Sequence, residues 1–333
     1  VTIAVKGLTK SYGHGAPAAL DGLDLQVGPG ELMVVVGPSG SGKSTLLRCI
    51  AGLEELDEGT VSIGGKDVTV SHPRDRDVAM VFQEHALYPH LDVRTNIAFP
   101  LLARKQPSDQ VDKKVSVIAE ALGLAGLLER RPGELSGGER RRVALARAAV
   151  RQPAAFLMDE PLSNLDTNLK LRVLDEIRGL RDSTGTTMLY VTHDQAEAMS
   201  LAHKLAVLRA GRLEQVGPPL EIYDSPVNEF VASFIGRTPM NLVPGNWVGM
   251  DAVTVGIRPE HCSLQEPAGA RLEGLVVGVD QLGAEALVEV EVNGKRLLAR
   301  ADREAAPSPG VGVGLSWDDR HLHRFDAEGV ALG

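Results

Sequence analysis

Residues 37–45 read Gly37-Pro38-Ser39-Gly40-Ser41-Gly42-Lys43-Ser44-Thr45, a spacing suited to holding a polyphosphate. The glycines let backbone N–H groups turn inward around phosphate oxygens. Lys43 can reach the outer phosphates, and the Ser44 hydroxyl can bind Mg²⁺. An apolar run, Leu32–Val36, comes before the loop, and a helix-like stretch, Ser44–Ala51, follows it. The loop therefore opens a helix, whose positive N-terminal end also favours an anion. The chemistry implied is the binding and hydrolysis of ATP.

Two further segments carry groups that such chemistry needs. Phe156-Leu157-Met158 runs into Asp159-Glu160, which places two acids at the C-terminal edge of a parallel sheet, where ligands of α/β proteins sit. Asp159 is suited to hold Mg²⁺ and Glu160 to polarise the attacking water as a general base. Alone, such a strand reads more readily as one ending in solvated acids. Beside the phosphate loop, the reading as metal ligand and base prevails. In Leu135-Ser136-Gly137-Gly138-Glu139, a serine and two glycines open a helix. Ser136 resembles an N-cap, and the exposed N–H groups form a second potential phosphate site. The following Arg140–Arg142 run is expected on a solvated helix face.

These segments need a scaffold of alternating elements. Short β-like runs occupy residues 2–36, and residues 60–82 are again strand-rich. From about Leu87 to Val150 the periodicity is helical, with Gln110–Leu122 and Gly138–Val150 the clearest helices. Ala154–Met158 and Thr187–Val191 read as buried parallel strands around an amphipathic helix at Leu169–Thr184. Lys204–Leu208 and Arg212–Gln215 form a hairpin pattern. The expectation is an α/β core with a parallel sheet. Past Gly236 the pattern changes to short alternating runs punctuated by Gly and Pro, as in a small all-β barrel. The domain boundary is expected at residues 236–242.

The bulk properties agree. The 333 residues are 43% hydrophobic and 24% charged, with a net charge of −9. An acidic balance argues against nucleic acid as a partner. Cys49 and Cys262 fit no metal spacing and read as buried apolar residues of a reducing compartment. No signal pattern opens the sequence, and no run approaches ~18 consecutive apolar residues. A cytosolic protein is expected, so any membrane role requires partner chains that cross the bilayer.

Together these residues resemble the ATPase subunits of ABC transporters. The resemblance implies a P-loop ATPase core with an antiparallel β subdomain and a helical subdomain at roughly residues 87–152 of a domain spanning 1–236. It also implies a small OB-like (TOBE) regulatory β domain over 237–333. Further roles follow from it. Tyr12 matches the aromatic that stacks on adenine, Gln83 the glutamine that senses the metal and the membrane partner, and His193 the switch histidine at the γ-phosphate. Ser163-Asn164-Leu165-Asp166 matches a loop at the subunit contact. In this family two subunits pair head to tail, so Ser136, Gly137, Gly138, Glu139 and Asp166 would reach the partner subunit's ATP. The family signature most often ends in Gln where Glu139 stands. The Ser and glycines make the phosphate contacts, so Glu139 is expected to be tolerated.

The likeness is greatest to importers of maltose, trehalose and glycerol phosphate. Tyr88-Pro89-His90 looks like the groove segment that receives a permease helix. Arg74–Val78, Gly256–His261 and Leu322–Asp326 are also similar, although the second domain is shorter than usual. The resemblance implies a homodimer on the cytoplasmic face of the membrane, held by two transmembrane permease subunits and served by an extracytoplasmic solute-binding protein. Polyamine, ferric iron and sulfate importers share the core. A soluble member acting on ribosomes or DNA would carry two cassettes or a long coiled coil, and a scaffold without activity would lack Lys43, Asp159, Glu160 or His193.

Overall fold

Three short apolar runs, Leu32–Val36, Ala155–Asp159 and Thr187–Val191, form strands buried at every position. Strands enclosed on both faces have no need of polar alternation. They lie at the centre of a computed structural model that describes residues 1–13, 15, 17–81, 87–162 and 167–332, with the side chains of 167–169 outside the description. Gln83 and Asp166, with the rest of 163–166, lie outside the described residues. Contacts divide the chain into two units, Val1–Pro219 and Leu220–Gly333.

In the first unit the elements run β1 (Ile3–Lys10), β2 (Leu20–Val27), β3 (Leu32–Val36), α1 (Lys43–Ala51), β4 (Glu58–Ile63), β5 (Lys66–Asp67) and β6 (Val78–Val81). The helices α2 (Val93–Leu102), α3 (Ser108–Ala121) and α4 (Gly137–Ala149) come next. The unit closes with β7 (Ala155–Asp159), α5 (Thr167–Thr184), β8 (Thr187–Val191), α6 (Gln195–Leu201), β9 (Lys204–Arg209) and β10 (Arg212–Gly217). A four-stranded antiparallel sheet has the order β2-β1-β4-β5, and a six-stranded sheet the order β10-β9-β3-β8-β7-β6. In the larger sheet all neighbours are parallel except β9 and β10, which form the expected hairpin. One apolar core joins the two sheets through α1, from Ile3 and Leu23 to Leu46, Ile50, Leu157 and Leu189.

Arg76 fixes the far end of α1. It is 4% exposed, and its guanidinium donates to the carbonyls of Cys49, Ile50, Thr69 and Ser71. A cation suits the negative C-terminal end of a helix, and here it also supplies donors to carbonyls that the helix leaves unpaired.

The helical stretch contains one element that the sequence pattern does not mark, α2, which carries Pro100 within it. Asp92 caps its start by accepting from the Thr95 N–H. Of the solvated face expected at Arg140–Arg142, Arg140 is exposed, but the structure corrects Arg141, which is 4% exposed. Arg142 pairs with Glu176 of α5 at 3.6 Å. The helix α4 therefore turns arginines inward between α5 and the sheet, where their aliphatic stems pack.

The second unit begins with two short helices, α7 (Pro219–Asp224) and α8 (Glu229–Phe234), and continues with β11 (Asn241–Pro244), β12 (Thr254–Ile257) and β13 (Ser263–Gln265). The remaining strands are β14 (Leu272–Gln281), β15 (Glu285–Val292), β16 (Lys295–Asp302), β17 (Gly312–Ser316), β18 (His323–Phe325) and β19 (Ala331–Leu332). They form two sheets, β11-β12-β18-β19 and β13-β17-β14-β15-β16. The edge strands β13 and β16 of the second sheet come back into contact, as in a curled sheet. Alternate residues of β15, from Val288 to Val292, point into a core with Val276, Leu297, Leu315 and Trp317.

The units divide ahead of the boundary expected near residue 236, and Arg258 supplies the physical reason. Its side chain is 2% exposed and donates to the carbonyls of Tyr223 (2.6 Å) and Ile235 (2.8 Å). Its guanidinium also stacks 3.5 Å from the Tyr223 ring centroid. Burial lowers the Arg258 pKa to about 10. Residues 220–236 are thus tied to the β domain by a buried cation. Both cysteines are buried, as expected, and burial raises Cys49 to about 11 and Cys262 to about 12.

Candidate functional site

Three neighbouring strands of the six-stranded sheet, β3, β8 and β7, end at the same level, since Val35 pairs with Val191 and Val191 with Asp159. Just past that row come the phosphate loop after β3, Thr192 and His193 after β8, and Glu160 after β7. Strands lie about 4.8 Å apart, so groups distant in sequence share one edge. A cleft of about 650 Å³ there is lined by Ala19, residues 39–45, Glu160 and His193.

The loop has little room to change. A Cβ on Gly37 would lie 2.3 Å from the Leu208 carbonyl oxygen, and one on Gly42 would lie 2.2 Å from that of Ala19. Gly42 also has φ 99° and caps α1 without a side-chain hydrogen bond. The first N–H groups of a helix lack intrahelical partners. Those of α1 accordingly face the site with no side chain to occupy them. Lys43 Nζ donates to the carbonyls of Gly37 and Pro38, each at 2.9 Å, and lies 3.4 Å from Ser41 Oγ. Burial lowers the pKa of Lys43, while the charges of Glu160 and Asp159 oppose that shift.

Ser44 Oγ donates to Asp159 Oδ1 at 2.8 Å, which joins the loop to the end of β7. Burial raises the Asp159 carboxyl, with the Ser44 hydrogen bond opposing. A hydroxyl and a buried carboxylate in contact are hard oxygen donors, the type Mg²⁺ takes, and Mg²⁺ usually keeps other positions for water and phosphate. Among the described residues no group of three or more His, Cys, Asp or Glu could enclose a metal by itself.

Glu160 has φ 43°, a left-handed conformation that costs a non-glycine residue about 1–2 kcal/mol. Its N–H donates to the Val191 carbonyl at 3.0 Å, which holds that turn. Glu160 Oε2 and His193 Nδ1 are 3.0 Å apart, with side chains 22% and 64% exposed. A carboxylate facing both an imidazole and the cleft can accept a proton from water. Tyr12 is half-exposed beside the loop, with its hydroxyl 3.5 Å from Thr45 Oγ1.

The Ser136–Glu139 segment does not line this cleft. Ser136 and Gly137 are exposed at the start of α4. Ser136 Oγ accepts from the Glu139 N–H at 3.3 Å, and the Glu139 carboxylate accepts from the Ser136 N–H at 2.7 Å. This capping box gives Glu139 a local task and holds its carboxyl below the usual range. Glutamine serves a capping box equally well. Glu139→Gln is therefore expected to change ATPase activity by less than ~10-fold, under ~1.4 kcal/mol of barrier. A larger gain in a phosphate-release assay would show that the carboxylate limits the enzyme.

The chain matches the ABC transporter family over residues 20–163 and the TOBE domain family over residues 255–325. It is 44% identical to the sn-glycerol-3-phosphate import ATP-binding protein UgpC of Brucella abortus, over 99% of both chains. It is 42% identical to the sulfoquinovosyl glycerol transport ATP-binding protein SmoE of Agrobacterium fabrum, over 98% of both. The chain belongs to the ABC transporter family. A solved structure of the ATP-binding cassette MJ0796, dimeric and bound to ADP and Pi, is similar with a TM-score of 0.58 and 29% identity. The similarity covers 65% of this chain and 98% of that one. The expected fold class is borne out, an ABC ATPase core followed by a TOBE domain of β strands. The chain is an ABC transporter ATPase.

Three positions in this ATPase carry no motif yet hold other segments in place. Asn96 is fully buried in α2, accepts from the Tyr88 N–H and donates to the carbonyls of Tyr88, Leu91 and Asp92. It pins the segment containing Tyr88, whose ring lies 4.4 Å from that of Phe99. Pro89 and His90 stay exposed next to it. The half-buried Lys170 pairs with the buried Glu197 and with Asp194, the residue after His193. An Asn within VRTNIAFPLL was the one available sequence signal, a polar residue in an apolar helical run.

Proposed function

We propose that two copies of this ATPase pair head to tail around two ATP molecules and energise the uptake of a small solute through transmembrane permease subunits. The observation that carries the proposal is the division of the phosphate-binding parts. Residues 39–45, Glu160 and His193 line one cleft, with Asp159 hydrogen-bonded to Ser44, whereas Ser136 and Gly137 stand exposed at another helix start. A second subunit's Ser136–Glu139 segment closing the open side of the cleft would complete the phosphate shell.

In this reading Gly37–Thr45 bind the triphosphate and Tyr12 stacks on adenine. Mg²⁺, held by Ser44, Asp159 and Gln83, would screen the charge of the phosphate oxygens. Glu160 accepts a proton from water, and His193 orients Glu160 and contacts the γ-phosphate. Asp166 lies at the subunit contact. ATP bridges the two subunits, and its hydrolysis releases them, a nucleotide-driven switch.

Tyr88–His90 is the segment proposed to receive a permease helix, and residues 237–333 form the proposed regulatory domain. Among the described residues no helix is long and apolar enough to cross a membrane. The permeases would hold the ATPase at the cytoplasmic face, with a solute-binding protein outside. The full-length relatives named for glycerol phosphate and sulfoquinovosyl glycerol import support a small polyol-type or sugar-type solute. Affinity capture of the tagged chain from solubilised native membranes is expected to bring down two multi-span proteins. Recovery of ribosomes or DNA, without such proteins, would overturn the transport reading.

A further inference from the structure

Behind His193 lies a buried polar network that the ATP site does not use directly. Glu197, in the first turn of α6, is 4% exposed. Its Oε2 accepts from the Tyr190 hydroxyl at 2.8 Å and from the Thr192 hydroxyl at 2.9 Å. Its Oε1 lies 3.0 Å from Lys170 Nζ, which reaches across from α5. The same ammonium donates to Asp194 Oδ2 at 2.7 Å. Asp194 Oδ1 accepts from the N–H groups of Ala196 and Glu197, and the Asp194 N–H donates to Thr192 Oγ1 at 3.0 Å. Arg141 of α4 acts on Glu197 and Tyr190 through its charge.

Both neighbours of His193 in sequence are therefore fixed. Thr192 is held through its hydroxyl, and Asp194 through its carboxylate and its N–H. His193 itself is 64% exposed, and among the described residues the contact that defines its ring is Glu160. A side chain so open to water depends on its backbone for its position. Charge-assisted hydrogen bonds to a buried carboxylate are the strong ones, and deleting one partner leaves the other unpaired.

We propose that Lys170, acting on Asp194 and Glu197, is a positioning residue that sets His193 against Glu160 and the nucleotide. Its ammonium bridges the residue next to His193 and the first turn of the helix that follows. It thereby couples the placement of His193 to α5. The proposal rests on the reading of His193 as a residue of the ATP site.

The test is the steady-state ATPase activity of the full chain in Lys170→Met, Lys170→Arg, His193→Ala and the Lys170→Met/His193→Ala double variant. Lys170→Met is expected to lower kcat at least ~10-fold, with KM for ATP within ~3-fold of wild type. Lys170→Arg keeps a cation at the bridge and is expected to recover most of the activity. In the His193→Ala background, adding Lys170→Met is expected to change kcat less than ~2-fold, because both act through one group. Losses that multiply in the double variant would overturn the inference, as would full turnover in Lys170→Met beside an impaired His193→Ala. Full turnover in His193→Ala would instead remove the reading on which it rests. Should Lys170→Met fail to fold, Thr192→Val gives the same decision. It removes the hydroxyl between Asp194 and Glu197 without stranding a charge, and it too should lower kcat only where His193 is present.

Discussion

Glu160→Gln is expected to bind ATP as well as the wild-type chain and to hydrolyse it ~10²-fold to 10⁴-fold more slowly, the usual contribution of a general base. The substitution keeps the shape of the side chain, and an amide oxygen can still meet His193 Nδ1, now 3.0 Å from Glu160 Oε2. The left-handed turn at residue 160 is held by a main-chain bond to Val191 and does not depend on the carboxylate. What is lost is the proton acceptor facing the cleft. With chemistry blocked and binding intact, the ATP-bridged pair should accumulate. Size-exclusion chromatography in ATP and Mg²⁺ is expected to show a dimer that disappears in ADP. Turnover within ~3-fold of wild type would sink the role given to Glu160.

Lys43→Ala is expected to weaken ATP binding by at least ~10-fold to 100-fold. A hydrogen bond to a charged group is worth about 1.5–3 kcal/mol, and in the proposed site the ammonium would donate to the triphosphate. The loop holds it ready, since Nζ donates to the carbonyls of Gly37 and Pro38. Its removal also leaves Asp159 and Glu160 without the positive charge that they face. The lost loop contacts could lower stability as well, so melting temperature should be followed beside the affinity. Titration with a fluorescent ATP analogue measures the effect, and unchanged affinity in a folded variant would remove the assignment of residues 37–45 as the ATP loop.

Much of the site was legible in the sequence because its parts are local. The loop needs glycines at fixed offsets, and two of them, Gly37 and Gly42, leave no room for a Cβ. Strands β3 and β8 fall at their expected ends because apolar runs of that length between polar residues have no other use. The arrangement between segments was not legible in this way. Nothing in the spacing of Lys43, Asp159 and His193 states that β8 lies between β3 and β7.

Buried charges were the second blind spot. Arg141 reads as part of a basic run, and Arg258 as part of a turn, yet both are almost fully enclosed. A guanidinium can be buried when carbonyls or carboxylates come to meet it, and those partners come from remote segments. The partners of Arg258, for example, are the carbonyls of Tyr223 and Ile235. Lys170 escaped notice for the same reason, since Asp194 and Glu197 become its neighbours only in the folded chain.

The position of β8 also bears on how the chain comes to life during synthesis. Of the three strands whose ends build the candidate site, β8 is made last, yet it lies in the middle. A growing chain that has emerged only as far as β7 holds its phosphate loop and its acidic pair on strands that do not touch in the finished sheet. The last central strand enters between two partners already made, in register with Val35 on one side and Asp159 on the other. With β8 in place, the loop, the acidic pair and the histidine share one sheet edge.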